Sequence, residues 1–328
     1  MVFLFRDKSI INVLFLVLLA LVAHVHFFFQ DLVLTDASSD GFFSWLISHY
    51  LMNLNKIFLF FLYLIILLTQ AVRLNLFMME LRMFQQSGYT VAMTYILLSG
   101  LLTQWTSITP ALLANFLMIW IFIKMTRLFN QPDPKNLLFN TGLIIGLSTF
   151  CYHPTAMMIL VVLFALTIIR PFKLKEWMVL ILGVVLPYYF LTAWLFWNDS
   201  LYKIGAYIPK IGFTIPPVVY KQTFQISVSA LGFVFLIGFV YWQQFNRRLI
   251  IQIRKYWSAL LVMGMILVIA PFVFKEAGIE AGIMCLVPLS AFVSNVFSYP
   301  KRLFLPNLLF LLMLAVVIYN KWPTLIKF

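Results

Sequence analysis

Residues 57–72 read IFLFFLYLIILLTQAV, a run without a charged side chain that Lys56 precedes and Arg73 follows. About 20 apolar residues form a helix long enough to cross the roughly 30 Å of hydrocarbon in a membrane. Similar runs recur along the whole chain, each separated from the next by a short polar or charged stretch. The sequence therefore predicts an all-α fold in which many helices cross a lipid bilayer.

The composition also places the chain in lipid. Of its 328 residues, 63% are hydrophobic and only 10% are charged, and the mean hydropathy is +1.00. In soluble domains about a quarter of the residues are charged. The length allows on the order of ten spans with short loops and leaves no room for a soluble domain. We predict a single integral membrane domain over residues 1–328, built as a polytopic transmembrane helix bundle.

About eleven segments are predicted to span the membrane, within a range of roughly nine to twelve. They are 9–29, 57–72, 88–104, 110–129, 137–151, 155–169, 177–197, 224–243, 257–274, 281–298 and 303–320. Segments 137–151 and 155–169 are short, so they form either two spans or one re-entrant pair. Outer loops are expected at about 30–56 and 198–223. Residues 1–29 resemble a signal peptide but lack a small-residue cleavage site, which favours a retained first helix.

The basic residues are distributed unevenly between the two ends of these segments. With the N-terminus inside, 16 of the 23 Lys and Arg residues, including every Arg, fall on the inner side. The seven on the outer side are Lys56, Lys203, Lys210, Lys221, Lys275, Lys321 and Lys327. Cytoplasmic loops retain Lys and Arg, so the N-terminus is predicted to be cytoplasmic. The net charge of +13 follows from this topology, and no basic patch predicts a nucleic acid partner.

Acidic residues on the outer side are the first candidates for chemistry. Asp36 and Asp40 follow the first span, and a carboxylate in a membrane-proximal cleft could act as a general base on a hydroxyl. Either could instead cap the interfacial helix expected to start near Gly41. Glu276 and Glu280 are four residues apart at the outer end of a span. They could face one cavity as substrate-binding groups, or lie solvated at the surface.

Three lysines and a histidine are the other candidates for substrate binding. Lys203, Lys210 and Lys221 are interleaved with Tyr and Pro in the second outer loop, so they could hold a phosphate or touch lipid phosphates in general. His153 lies between the two short segments, where a neutral imidazole could donate a hydrogen bond into an external cleft. The chain has no HExxH, GxGxxG, Walker lysine or CxxC motif, so no metal or cofactor is predicted.

The layout resembles membrane glycosyltransferases of the GT-C class, which have a retained first helix, an acidic outward loop followed by an interfacial helix, and many spans with short paired helices. Residues 140–148, NTGLIIGLS, and 153–156, HPTA, are similar in texture to the middle of those enzymes. The resemblance implies a GT-C-like arrangement, an outward-facing site for a polyprenyl-phosphate-linked sugar, and Asp36 or Asp40 as the base. The adjacent acidic pair common in that class is absent, since Asp36 and Asp40 are four residues apart.

A second resemblance covers most of the chain. Residues 5–9, FRDKS, and 110–115, PALLAN, resemble a family of polytopic inner-membrane proteins common in Bacteroidota, which brings no activity with it. It implies the bacterial inner membrane. An odd number of crossings from a cytoplasmic N-terminus predicts a periplasmic C-terminus. Besides a glycosyltransferase, the sequence allows a non-catalytic subunit of an envelope secretion or motility assembly, in contact with other membrane proteins. A transporter or lipid flippase is the third hypothesis, and membrane lipids are partners in all three.

Overall fold

The computed structural model describes residues 2–24, 27, 41–52, 54–218, 221–275, 277–300 and 302–321, without the side chains of Ile10 and Lys221. Within these ranges the chain is helical and contains no strand, which confirms the all-α prediction. An isolated antiparallel bridge joins Ile211 to Phe274. The α-helices are α1 Ile10–His24, α2 Phe42–Leu46, α3 Lys56–Glu80, α4 Thr90–Leu101, α5 Pro110–Thr126, α6 Lys135–Cys151, α7 Met157–Ile169, α8 Leu174–Trp197, α9 Lys221–Asn246, α10 Ile251–Leu267, α11 Ala270–Val273, α12 Leu286–Ser298 and α13 Phe304–Lys321.

Short helical turns connect several of these helices. The 3₁₀ turns are Val2–Phe5, Thr103–Trp105, His153–Ala156, Leu201–Ala206 and Ile279–Cys285, and a π-helical turn, Ile47–Leu51, continues α2. The turn Ile279–Cys285 leads directly into α12, and α11 closely follows α10. Helical backbone hydrogen bonds are satisfied within each segment, which is what a chain in hydrocarbon requires.

Six helical segments among the described residues are long and apolar enough to cross a membrane, as expected for an integral membrane protein. They are Lys56–Glu80, Leu174–Trp197, Gln222–Asn246, Ile251–Val273, Ile279–Ser298 and Phe304–Lys321. Each predicted span overlaps a helix, but six, not eleven, reach this length. The remaining predicted spans fall on shorter helices, of which α4 has 12 residues and α5 has 17. These two end early because the chain between them turns back as a mostly buried loop at 102–109.

The centre of the bundle is formed by α4 and α12. Every side chain of α4 is buried, and α12 is buried almost throughout. A helix that is apolar on all sides is stable only when other helices surround it, and α4 packs against α1, α3, α12 and α13. By contrast, most side chains of α8 and α9 are exposed or half-buried. In a membrane these peripheral helices contact lipid.

Buried polar side chains link the central helices. The hydroxyl of Tyr95 donates to Oε1 of Gln70 at 2.8 Å, and Nδ2 of Asn115 donates to the Tyr95 hydroxyl at 3.1 Å. The same Asn115 nitrogen lies 3.0 Å from the carbonyl oxygen of Ile283. Hydrogen bonds between helices replace the hydrophobic driving force that lipid does not provide. This cluster therefore fixes α3, α4, α5 and the turn before α12 relative to one another.

The helices α6 and α7 do not pack as a close pair. α6 packs chiefly against α8, while α7 packs chiefly against α10. Glycines allow the first contact, because a Cβ at Gly142 would collide with the carbonyl oxygen of Leu180 and a Cβ at Gly183 with that of Phe139. Small residues of this kind let two membrane helices approach closely. The segments 137–151 and 155–169 thus diverge toward different neighbours.

Basic side chains close helix termini at one end of the bundle, which we call the basic end. Arg6 donates to the carbonyl oxygens of Phe297 and Pro300, both at 2.7 Å. Arg170 pairs with the largely buried Glu176 at 3.2 Å, and the Lys255 ammonium lies 3.0 Å from the carbonyl oxygen of the last residue of α7. Cations at helix C-termini are favourable, because the carbonyl groups there carry partial negative charge.

Candidate functional site

The opposite end of the bundle holds most of the residues singled out for chemistry. We call it the His153 end, and it comprises Gly41, residues 150–156, residues 207–214, residues 272–275 and the turn Ile279–Cys285. Three contacts join these loops: the backbone of Gly41 lies against the end of α6, the ring of Phe150 stacks on Tyr207, and the backbones of Lys210 and Lys275 pair. Asp36, Asp40, Glu276 and the side chain of Lys221 lie outside the described residues.

The start of the interfacial helix is held against the end of α6. Gly41 is the N-cap of α2, with φ of 102° and ψ of −168°. A Cβ at this position would lie 2.7 Å from the carbonyl oxygen of Phe150 and 2.8 Å from that of Cys151. Only glycine adopts this backbone without strain, and only glycine permits this approach. Gly41 occupies the N-cap position of α2, while Asp36 and Asp40 lie outside the described residues, so the capping alternative stays a prediction.

The interfacial segment itself is rich in aromatic rings. Trp45 stacks on Phe42 with a centroid distance of 5.6 Å and on His49 at 5.1 Å, and Tyr50 meets Trp45 edge-on. Phe42, Trp45 and Tyr50 are exposed. Amphipathic aromatic rings concentrate at the boundary between hydrocarbon and water. The arrangement fits a short helix that lies on the membrane surface beside the His153 end.

His153 is buried, with 3% of its surface exposed. It begins the turn His153–Ala156, which the hydroxyl of Thr155 fastens by donating to the carbonyl oxygen of Tyr152 at 2.8 Å. The sequence suggested an imidazole that could donate a hydrogen bond into an external cleft, whereas the structure places the ring inside the protein. Pro154 keeps the chain from continuing α6, so the turn folds inward between α6 and α7.

The loop after α8 is fixed to two neighbours. The ring of Tyr207 stacks on that of Phe150 at 5.5 Å with an interplanar angle of 9°. Further along, the backbone N–H of Gly212 donates to the carbonyl oxygen of Val273 at 2.8 Å, and that of Lys275 donates to the carbonyl oxygen of Lys210 at 3.3 Å. Residues 210–214 therefore run antiparallel to residues 272–275. This pairing brings the backbones of Lys210 and Lys275 together.

The remaining described candidates differ in their surroundings. Lys203 is exposed on the turn Leu201–Ala206, where its ammonium lies 5.5 Å from the centroid of the Tyr202 ring. Glu280 is half-buried in the turn Ile279–Cys285, which is anchored by a 3.2 Å hydrogen bond from Nε1 of Trp105 to the carbonyl oxygen of Ile279. The structure thus places a carboxylate and two lysines on turns of the same end as His153.

Sequence reasoning missed a group of buried polar residues near this end. His24, at the end of α1, has its Nε2 3.3 Å from the hydroxyl of Ser99, and its ring meets that of Tyr63 edge-on at 5.0 Å. Nearby, Nδ2 of Asn320 donates to the carbonyl oxygen of Leu101 at 2.6 Å. Polar residues at the ends of apolar runs look interfacial in sequence. The only signal was that each lies in the last turn of a largely apolar helix.

The described residues do not form a metal centre, because no group of three His, Cys, Asp or Glu side chains among them is placed to hold an ion. Comparison with known proteins assigns no family: no protein-family model matches the chain, and no curated protein matches it either. The functional interpretation therefore depends on the geometry of the His153 end.

Proposed function

We propose that the protein is a membrane glycosyltransferase that takes a polyprenyl-phosphate-linked sugar at its His153 end, on the outer face of a bacterial inner membrane. The observation that carries this proposal is the contact of Gly41 with the carbonyl oxygens of Phe150 and Cys151. Asp40 directly precedes Gly41 in the sequence, and His153 follows Cys151 by two residues. The contact therefore ties the acidic loop to the part of the fold that holds His153.

The proposed reaction needs one base and an anion-binding surface. An acceptor hydroxyl attacks the anomeric carbon of the sugar, the bond from that carbon to the phosphate oxygen breaks, and polyprenyl phosphate leaves with the bonding electrons. Asp36 or Asp40 takes the proton from the acceptor hydroxyl. The ammonium groups of Lys203 and Lys210, together with Lys221, stabilise the negative charge on the departing phosphate. In this scheme Glu276 and Glu280 bind the sugar hydroxyls, and the buried His153 belongs to the turn beside them.

The orientation is supported by the way that basic residues are used at the other end. Arg6, Arg170 and Lys255 all donate to backbone carbonyl groups at the basic end. Loops rich in Lys and Arg close to helix ends are the ones that stay in the cytoplasm during insertion. An inward-facing basic end places the His153 end outside, where lipid-linked sugars and their acceptors would meet.

Carboxylate substitutions test the proposal directly. Asp36→Asn, Asp40→Asn and the double variant would be compared with Asp199→Asn, a control on an exposed turn with φ of 49°, a conformation that Asn tolerates. The assay measures release of polyprenyl phosphate from a labelled polyprenyl-phosphate sugar by the purified protein and by membranes. Loss of a general base lowers turnover by about 10²-fold or more. If the double variant transfers sugar as well as Asp199→Asn does, the proposed function is wrong.

A further inference from the structure

A groove runs along the contact between α6 and α8. Its volume is about 280 Å³, and its lining consists of apolar side chains from the two helices. Leu147 and Phe190 on its walls are 45% and 63% exposed, so the groove opens sideways to the surroundings of the bundle. The lining includes Leu143, Leu147 and Phe150 of α6 and Leu186, Pro187 and Phe190 of α8.

Local sequence explains why the groove lies at this level. Pro187 has no N–H, so α8 lacks the hydrogen bond that would reach the carbonyl group of Gly183 one turn earlier. Gly146 faces this position, and a Cβ there would come within 3.0 Å of the Pro187 ring. Two helices held together by glycines have little side-chain bulk between them. The larger leucines and phenylalanines beside the glycines then form the walls of a slot.

The lining decides the chemistry of an occupant. A polar group in this slot would lose its hydrogen bonds to water without finding a partner, which is unfavourable. A hydrocarbon chain loses nothing and contacts both walls. Since α8 packs chiefly against α6 and half of its side chains are exposed, the slot opens where membrane lipid would lie.

The upper boundary of the groove connects it to the basic loop. Phe150 lines the groove on one side and stacks on Tyr207 on the other. The loop that holds Tyr207 also carries Lys203 and Lys210, both exposed. A lipid whose chain occupies the groove would leave it at Phe150 and present its headgroup to these ammonium groups. The groove and the loop are therefore complementary to an anionic lipid.

We infer that this α6–α8 groove holds the phosphate-proximal part of the hydrocarbon chain of a polyprenyl phosphate, with its phosphate at Lys203 and Lys210. The choice of polyprenyl phosphate over a bulk phospholipid rests on the proposed function. The inference extends that function by assigning the donor lipid to a particular pair of helices. It predicts that the hydrocarbon chain of the donor enters the protein from the membrane between α6 and α8.

Photolabelling tests the inference. The full-length protein in nanodiscs would be irradiated with a diazirine-bearing polyprenyl phosphate, and the labelled peptides would be identified by mass spectrometry. We expect label in α6 and α8. Leu147→Trp fills the slot and lowers this labelling by about tenfold or more. The lipid chain then can no longer bury in the slot an apolar area about the size of one large side chain. Leu160→Trp, at a leucine of α7 that is 46% exposed, is the matched control and keeps the label.

Two further variants test the inference if Leu147→Trp does not fold. Leu191→Trp fills the same groove from α8. Lys203→Gln combined with Lys210→Gln weakens labelling by the phosphate probe but not by an uncharged polyprenol probe. Label outside α6 and α8, or equal displacement of the probe by excess phosphatidylglycerol, overturns the inference. Asp40→Asn stops sugar transfer but keeps the label, so a failure of the proposed function is distinguishable from a failure of the groove.

Discussion

Replacing Gly41 with alanine probes the contact that joins the interfacial helix to α6. Holding a residue other than glycine at φ of 102° and ψ of −168° costs about 1–3 kcal/mol. The new Cβ would also lie 2.7 Å and 2.8 Å from two carbonyl oxygens, closer than a carbon and an oxygen approach without displacement. Relief requires α2 to move away from α6. Since 1.4 kcal/mol is a tenfold change in an equilibrium constant, the undocked state becomes roughly 5- to 150-fold more populated.

Hydrogen–deuterium exchange measures this change. In Gly41→Ala the amides of α2 and of the turn Ile47–Leu51 should exchange faster by that factor, because their hydrogen bonds open more often when the segment is undocked. Gly205→Ala is the matched control, since a Cβ at Gly205 meets nothing within 4 Å. Equal protection of α2 in Gly41→Ala and in the control would refute the reasoning.

Three further substitutions test other parts of the fold, each by thermal unfolding of the protein in detergent. Tyr95→Phe leaves the buried amides beside it without this partner and should lower the free energy of unfolding by about 1–3 kcal/mol. The control Tyr189→Phe, at an exposed ring, should leave it almost unchanged. Equal effects would mean that the buried cluster is not stabilising. Glu176→Gln breaks the ion pair with Arg170, whose side chains are only 9% and 12% exposed, and should lower the free energy of unfolding by about 3–5 kcal/mol. The control Asp133→Asn breaks a pair whose side chains are 73% and 66% exposed and should change that free energy by less than about 1 kcal/mol. A larger effect of the control would contradict the structure. Burial raises the pKa of Tyr299 to about 12, whereas a free tyrosine has a pKa near 10. The contribution of this shift to stability is therefore complete below about pH 10 and is lost as the pH rises toward 12. Tyr299→Phe should remove that part of the pH dependence of unfolding, and an unchanged profile would show that another group causes it.

The long apolar helices were predictable because charge and hydropathy mark them directly. The run at 57–72 lies inside α3, which continues to Glu80. The prediction ended it at Arg73, yet that side chain is exposed, so the helix can continue past it without burying a charge. Composition therefore identified the helix but not its end.

The number of long spans was not predictable, because it depends on whether a loop is buried. Thr103, Thr106 and Thr109 lie between α4 and α5 and look like a solvated connection in the sequence. In the structure the loop is mostly buried, since Thr106 bonds to the carbonyl oxygen of Thr103 and Thr109 accepts from the backbone of Leu112. Such local bonds satisfy polar groups in a way that hydropathy does not reveal.

The roles of the candidate residues stay predictions, and the sequence indicated only which loops share one end of the bundle. His153 and Glu280 lie on turns of that end, and Lys210 lies in the loop that follows the turn Leu201–Ala206. The burial of His153 and the contacts of Gly41 and Phe150 join residues that are far apart in the chain. A single sequence has no signal for such pairings, because they depend on which helices become neighbours.

Thiol labelling in intact cells tests the central claim that the His153 end faces outward and the basic end inward. In a background with Cys151→Ala and Cys285→Ala, cysteines would be placed at Lys203 and Arg247, one exposed residue from each end. A membrane-impermeant maleimide that reaches the periplasm should label Lys203→Cys in intact cells and Arg247→Cys only after the inner membrane is opened. Labelling of Arg247→Cys in intact cells, with Lys203→Cys protected, would contradict the orientation and with it the proposed outer-face transfer.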